Sequence, residues 1–493
     1  MGNEKRDQGG ITRREFTTRV GAAAAGVAVG GGRVFGSKDS RSAVAGRRII
    51  GANDRVVLAS IGVRGQGNAL KRGFARLKNV EHKTLCDIDA NLAQERIHDS
   101  RLADVPTFKP GFAQDLRRVL DDKDVDAVVI AAPNHWHALA TIWALQAGKH
   151  VYVEKPASHT VWEGRRMVEA AARYDRIVQV GTMNRSRPAV IDAMKFMHDG
   201  GLGKLYMARG LCFKPRPSIG KYPDGPMQAG EKYKLNALAT TNEPTYDEQY
   251  LSKVDYDLWL GPAPKRAFNR NRFHYNWHWH WDYGNGDTGN QGPHQFDIAR
   301  WGLQKQEHPV KIRSVGGYFG EESSQETPNE QTTMYEYADG VVMEFATRGG
   351  FTNDEAGVRI GNIFYGTKGW LWIEEAGKKW QAYLGPHNEK GPGAQPSSGD
   401  RPTEATGLTT IEYPHYQNFI DAIRADNPKL LTCDITEGHL SAALPHLANI
   451  SYRVGRALVF DGAKERFVND AEADRLLTRE SYRRGFEIPK SFT

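Results

Sequence analysis

Val56-Val57-Leu58-Ala59-Ser60-Ile61-Gly62-Val63-Arg64-Gly65-Gln66-Gly67 decides the fold. Six uncharged residues read as a buried strand, and the glycines behind them turn the chain directly into a helix. The same rhythm continues outward. Apolar runs at 83–86, 127–131, 150–153 and 177–181 predict further strands, and helical spacing occupies 89–102, 112–120, 137–147 and 160–173. Thr160 with Glu163 three residues on reads as a capping box opening the last of these helices. Strands alternating with helices predict one doubly wound parallel sheet of about 130 residues.

Beyond Arg185 the texture changes. A helix over 189–197 precedes strand patterns at 205–213, 310–318, 331–337 and 341–347 that lack helical crossovers, which predicts a largely antiparallel sheet. Irregular stretches at 214–271 and 384–407 are long enough to be lids or surface insertions. Helices over 416–424 and 437–458 close the chain and are placed to pack back on the first sheet. The expected division is residues 1–45 as a leader, 46–185 as the parallel-sheet domain and 186–493 as an α+β domain with an open sheet; the chain as a whole is α/β.

Composition agrees with a water-soluble protein: 39% hydrophobic and 25% charged residues among 493, neither a disordered chain nor a polytopic membrane protein. Residues 1–45 hold eight basic and four acidic residues, leaving the rest of the chain only mildly basic. That gives no footprint for nucleic acid. Cys86, Cys212 and Cys433 form no CxxC pair and read as buried thiols. The leader carries Arg13-Arg14 ahead of an almost uncharged Gly/Ala/Val run over 20–32, too short and weakly apolar for a stable membrane span. It resembles a twin-arginine export signal, with Ala43-Val44-Ala45 as a cleavage candidate. The resemblance implies the twin-arginine machinery as a partner and a periplasmic or other extracytoplasmic location.

The glycine turn allows backbone N–H groups at a helix start to approach a pyrophosphate, although Arg64 stands where GxGxxG has its second glycine. Asp87 follows Gly67 by twenty residues at the end of the second strand. There a carboxylate accepts ribose hydroxyls and repels a 2'-phosphate, favouring NAD over NADP; capping of the next helix is the alternative. Pro133-Asn134-His135-Trp136-His137 and Glu154-Lys155-Pro156 lie at later strand ends, where open parallel sheets collect ligands. Lys155 thereby enters the cleft, placed to hydrogen-bond a substrate hydroxyl and ease its proton loss.

In that order, these motifs resemble the Gfo/Idh/MocA family, named for glucose-fructose oxidoreductase and inositol dehydrogenase, from about Arg55 to the final helices. The resemblance implies a Rossmann domain, a C-terminal α/β domain supporting substrate and oligomer contacts, and hydride transfer between a nicotinamide and a sugar or polyol. It assigns the cofactor to Gly62, Arg64, Gly65, Gln66, Gly67, Asp87, Pro133, Asn134, His137, Glu154 and Lys155. The segment 284–294 matches the family's second landmark, making His294 the catalytic histidine beside Lys155. Asn290 occupies the position where the family commonly has Asp, so a sugar hydroxyl can still be held but no charge raises the imidazole pKa. Asp297 is expected to stabilise the first turn of a helix over 296–301.

Upstream, the segment 272–283 alternates His with aromatic residues, a pattern that suits sugar-ring stacking or a structural cluster. His278 and His280 would share a side if this were a strand, yet without a third ligand no metal site is expected. The substrate contacts expected are Arg185, Asn290, His278 and Trp281. The leading reading is an exported oxidoreductase with tightly held NAD, acting on a carbohydrate as a homo-oligomer. The alternative is an NAD-dependent glycoside hydrolase that oxidises, eliminates, hydrates and reduces; a non-catalytic sugar-binding protein is the third class.

Overall fold

In the first sheet, β1 (Val56–Ile61) and β4 (Ala127–Ile130) are buried at every position, as strands covered on both faces must be. Between them in sequence lie β2 (Val80–Cys86) and β3 (Gly111–Ala113), and β5 (His150–Val153) and β6 (Val178–Val180) follow. The spatial order β3-β2-β1-β4-β5-β6 is parallel throughout. The computed structural model describes residues 54–233, 245–374, 377–394 and 413–492. The leader with its arginine pair lies outside them, as do parts of both irregular stretches. All described residues belong to one compact unit.

Seven helices of eleven residues or more cover the two sheets among the described residues: α1 (Gly65–Ala75), α2 (Asn134–Gln146), α3 (Val161–Tyr174), α4 (Pro188–His198), α5 (Gly292–Gly302), α6 (Tyr413–Ala425) and α7 (Ile435–Val454). Alternation along the strands splits the first core in two. Val56, Leu58, Val129 and Tyr152 face α1 and α6, whereas Ala59, Ile61, Val128 and Val153 face α2 and α3. The late helix α6 does return to the first sheet, stacking Tyr416 on Phe74 with ring centroids 4.8 Å apart, a contact worth about 0.5–1.5 kcal/mol beyond area burial.

The second sheet comprises β7 (Leu205–Phe213), β8 (Lys311–Gly317), β9 (Glu330–Glu336), β10 (Val342–Arg348), β11 (Ile360–Gly366), β12 (Gly369–Glu374), β13 (Trp380–Leu384), β14 (Glu389–Ala394), β15 (Leu458–Asp461) and β16 (Arg466–Phe467). Its order is β14-β13-β12-β11-β7-β10-β9-β8-β15-β16, antiparallel except where β10 runs parallel to β7. One face packs on α4, α5 and α7. The other leaves Tyr206, Val315, Met334 and Val459 exposed. Among the described residues no helix is long and apolar enough to cross a membrane.

Several expected elements change. The helix expected over 89–102 is broken into short turns because Asp89 and Asp99 accept from Asn91 N and Arg101 N and restart the chain. The helix expected over 112–120 yields its first residues to β3, and Asp115 caps what remains, Leu116–Asp121. Thr160 does cap α3, accepting from Glu163 N, but the Glu163 carboxylate accepts from His159 N rather than closing the box. The last helix stops at Val454 because Gly455 takes the left-handed conformation, φ 68°. Six strands, β11 to β16, occupy sequence for which no strand was predicted, β15 beginning at the last residue of the expected helix.

Candidate active site

Strand ends β1, β2, β4 and β5 open into a cavity of about 310 Å³, lined there by Ile61, Gly62, Cys86, Asp87, Pro133, Asn134, Glu154 and Lys155. The opposite wall comes from the long segment after β7: Leu258, Trp259, His274, Tyr275, Trp277 and His278. The glycine turn is dictated by close packing. A Cβ on Gly67 would sit 1.8 Å from the Gly62 carbonyl oxygen, whereas one on Gly65, φ +28°, would meet nothing within 4 Å. The turn is therefore tight where it packs and open toward the cavity, with the first amides of α1 at its rim.

Asp87 accepts from Val63 N at 2.9 Å and Asp89 N at 3.1 Å. Loss of solvent pushes its carboxyl up to about 6, against the pull of those two donors. It does not cap the next helical turn; Asp89 does. The residues present fit a dinucleotide: an open glycine turn on a helix start and a carboxylate at the end of β2. Gln66 Nε2 donates to Glu154 Oε1 at 3.3 Å, and Arg64 reaches across the cavity to Tyr246 Oη at 2.7 Å. His137 ties two strand ends, its ring nitrogens each 2.7 Å from the carbonyls of Pro156 and Ala132. Burial holds it down to about 4, against the pull of the two carbonyls, each of which favours a ring N–H.

At the other end Lys155 Nζ donates to the Asn290 carbonyl at 3.0 Å. Burial lowers its pKa, with Glu154 pulling the other way. Asn290 ends a short helix, Gly286–Asn290, and its side chain donates to Asp287 Oδ1 at 3.4 Å. Asp287 is held bidentately by Arg216, at 2.9 and 2.7 Å. A carboxylate thus stands beside the Asn290 position after all, but an arginine already engages it.

His294 lies in the first turn of α5, inside the helix rather than before it. It does not line the cavity, and its Nδ1 is buried without a partner. Burial drives its pKa far down, with Lys155 the foremost charge acting on it. His278 does line the cavity. Its ring stacks on Trp277 at 3.6 Å and its Nδ1 lies 2.6 Å from the Tyr275 carbonyl, which fixes the proton on Nδ1 and leaves Nε2 a lone pair. Burial pushes it down to about 3.

Four expectations need correction. Residues 276–279 form a 3-10 turn, not a strand, so His278 and His280 part: His280 is buried with Nε2 near Asn271 O. Arg185 is not at the cavity. Asp297 grips it at 2.8 and 2.9 Å and Glu437 at 2.8 Å, so Asp297 serves this buried pairing rather than the first turn of its helix. Trp281 also lies off the cavity, under the Arg453 guanidinium at 5.2 Å. Elsewhere, His308 and His439 converge on Glu465 Oε1 at 2.9 and 2.6 Å, a metal-capable trio already saturated by Arg165.

Sequence reasoning missed Asp89, Arg216, Tyr250, Trp259, His274 and Asp287. The length of the 214–271 segment was the available signal for Arg216, Tyr250 and Trp259, since loops of that size commonly cover sites; His274 and Asp287 lie in the stretches 272–283 and 284–294 without a role of their own, and Asp89 reads only as the start of a helix.

A family model described as an oxidoreductase family with an NAD-binding Rossmann fold matches residues 59–182, and its partner, described as the C-terminal alpha/beta domain, matches 228–364 and 401–488. The chain belongs to the Gfo/Idh/MocA oxidoreductase family. Among its relatives, levoglucosan dehydrogenase of Pseudarthrobacter phenanthrenivorans is 38% identical over 96 residues, 20% of this chain and 25% of that protein. A glycosyl hydrolase family 109 protein of Shewanella pealeana is 28% identical over 205 residues, 40% of this chain and 44% of that protein. The chain thus spans less than half the length of these curated relatives. The solved structure of levoglucosan dehydrogenase in complex with NADH superposes with a TM-score of 0.59, covering 82% of this chain and 98% of the other at 20% identity. This Gfo/Idh/MocA member and that structure share a fold.

Proposed function

We propose that this chain transfers a hydride between a tightly held NAD and a sugar, polyol or sugar derivative. The observation that carries the reading is that one cleft brings together the open glycine turn, Asp87 and the buried amine of Lys155. In the proposal Gly62, Gly65 and Gly67 shape the turn for a pyrophosphate, Asp87 takes the ribose hydroxyls, and Pro133, Asn134 and Glu154 complete the wall. When bound, the nicotinamide supplies the hydride acceptor and donor.

The remaining work belongs to the chain. Lys155 Nζ donates to the substrate oxygen and stabilises the charge that develops there as its proton leaves. The family resemblance assigns that proton to His294, which stands behind the cavity wall within the field of Lys155. Asn290 and His278 position neighbouring hydroxyls, and the Trp259, Tyr275 and Trp277 wall keeps water from the reacting carbon. Burial lowers the pKa of Lys155 and holds His294, driven well below the ordinary imidazole value, in its neutral, proton-accepting form.

A second reading, glycoside hydrolysis through transient oxidation, is favoured by the family 109 relative. One experiment separates the two. Holoprotein is denatured to release NAD, then intact holoprotein is offered free sugars and nitrophenyl glycosides. Bound NAD reduced by a free sugar supports the dehydrogenase; nitrophenol released without net reduction supports the hydrolase; absence of NAD defeats both.

The proposal extends to export by the twin-arginine route, an extracytoplasmic location, and the division at residues 185 and 186 into cofactor-binding and substrate-binding halves. It also includes homo-oligomerisation through the open face carrying Tyr206, Val315, Met334 and Val459. Sizing with light scattering tests the last point: a mass of one chain contradicts it.

A further inference from the structure

Asp89 is fully buried yet carries a carboxylate. It is reached from the long segment after β7: Tyr250 Oη donates to its Oδ2 at 2.5 Å and His274 Nε2 at 3.1 Å. The main chain is tied at the same place, Asp255 N donating to Ile88 O at 2.9 Å and Ala90 N to Lys253 O at 3.1 Å. Further along, Trp136 Nε1 donates to Leu258 O at 3.0 Å and Arg64 to Tyr246 Oη at 2.7 Å. Between these ties the segment turns Trp259, His274, Tyr275 and Trp277 toward the cavity.

We infer that residues 246–278 form a fixed strap over the dinucleotide cleft, latched at Asp89 by Tyr250 and His274, so that NAD is a resident group which does not exchange between turnovers. The inference rests on the reading that this cleft binds NAD and adds how it is kept. A lid that opens each cycle is drawn from weakly held segments; this one is joined to the turn after β2 by main-chain bonds and by two donors on a buried carboxylate. The latch also sits two residues from Asp87, whose Oδ1 accepts from Asp89 N at 3.1 Å. Opening the strap therefore disturbs the ribose-binding carboxylate itself.

The test uses the full chain purified without added cofactor, with NAD measured by chromatography after extensive dialysis and its exchange followed against isotope-labelled NAD. Wild type keeps close to one NAD per chain. Tyr250→Phe together with His274→Ala speeds exchange by about a hundredfold, the loss of two charge-assisted hydrogen bonds, and gives protein that needs added NAD. Tyr250→Phe alone, which preserves the ring and the fold, speeds it about tenfold. Variants that hold NAD as firmly as wild type, or a wild type that exchanges label within mixing time while still reducing it with sugar, overturn the strap and leave hydride transfer in this cleft standing. Wild-type protein that neither contains nor takes up NAD overturns both.

Discussion

Lys155 Nζ donates to the main-chain carbonyl of Asn290 at 3.0 Å, joining the end of β5 to the short helix that precedes α5. The contact crosses from the parallel sheet to the second half of the chain. It fixes an otherwise flexible amine where a substrate oxygen is expected, and main-chain geometry sets the position whatever side chain follows.

Lys155→Met removes the donor and leaves the cleft walls in place. Hydride transfer is expected to fall by about 100- to 10,000-fold, with the NAD content of the purified protein unchanged. Single-turnover reduction of bound NAD, read beside cofactor content, checks this. Transfer within threefold of wild type would remove Lys155 from the proposed chemistry.

Ionised, Asp87 offers both oxygens to the ribose hydroxyls; protonation turns one of them into a donor and weakens that grip, and the carboxyl is pushed up to about 6. NAD affinity of apoprotein is therefore expected to be full above that pH and to weaken as pH falls through it. The same shift makes a stability statement: a carboxyl raised on folding disfavours the native apoprotein once it ionises, so this contribution is lost as pH rises from about 4 to about 6. Asp87→Asn is expected to weaken NAD binding and abolish its pH dependence. Calorimetric titration between those limits is the check.

Much of this site was legible locally. The β1 turn, Asp87 and the Glu154-Lys155 pair announce themselves because a parallel strand is a continuous apolar run and its C-terminal end must face the cleft. Strand β3 was not legible: three residues with no fully buried position carry no periodicity. The alternation in 272–283 imitated a strand, but Trp277 and Trp279 are buried by tertiary packing inside a 3-10 turn. Arg185 finds Asp297 and Glu437 at 112 and 252 residues' separation, and Asp89 meets His274 at 185; no local pattern encodes such partners.

Asn290→Asp would place a second carboxylate beside Asp287, against which the Asn290 amide now rests at 3.4 Å. Added negative charge raises the pKa of neighbouring bases. The acid limb of the rate profile for reduction of bound NAD is expected to move to higher pH, with cofactor content unaltered. A superimposable profile would show that position 290 does not tune the proton acceptor.

Asp297→Ala leaves the buried Arg185 guanidinium facing Glu437 alone. Breaking a buried pair of this kind costs about 3–5 kcal/mol, so the denaturant midpoint should fall clearly while the Arg185→Met, Asp297→Ala double variant recovers part of the loss. Equal stability of the single variant and wild type would contradict the burial described for this network.

The central claim is that a carbon-bound hydrogen passes from a carbohydrate to the cofactor in this cleft. Holoprotein is mixed with a panel of sugars deuterated on their ring carbons, and the released nicotinamide is examined by mass spectrometry. The account predicts deuterium in the nicotinamide ring with at least one sugar, and none with Lys155→Met. An unlabelled ring across the panel, in protein shown to hold NAD, would contradict it.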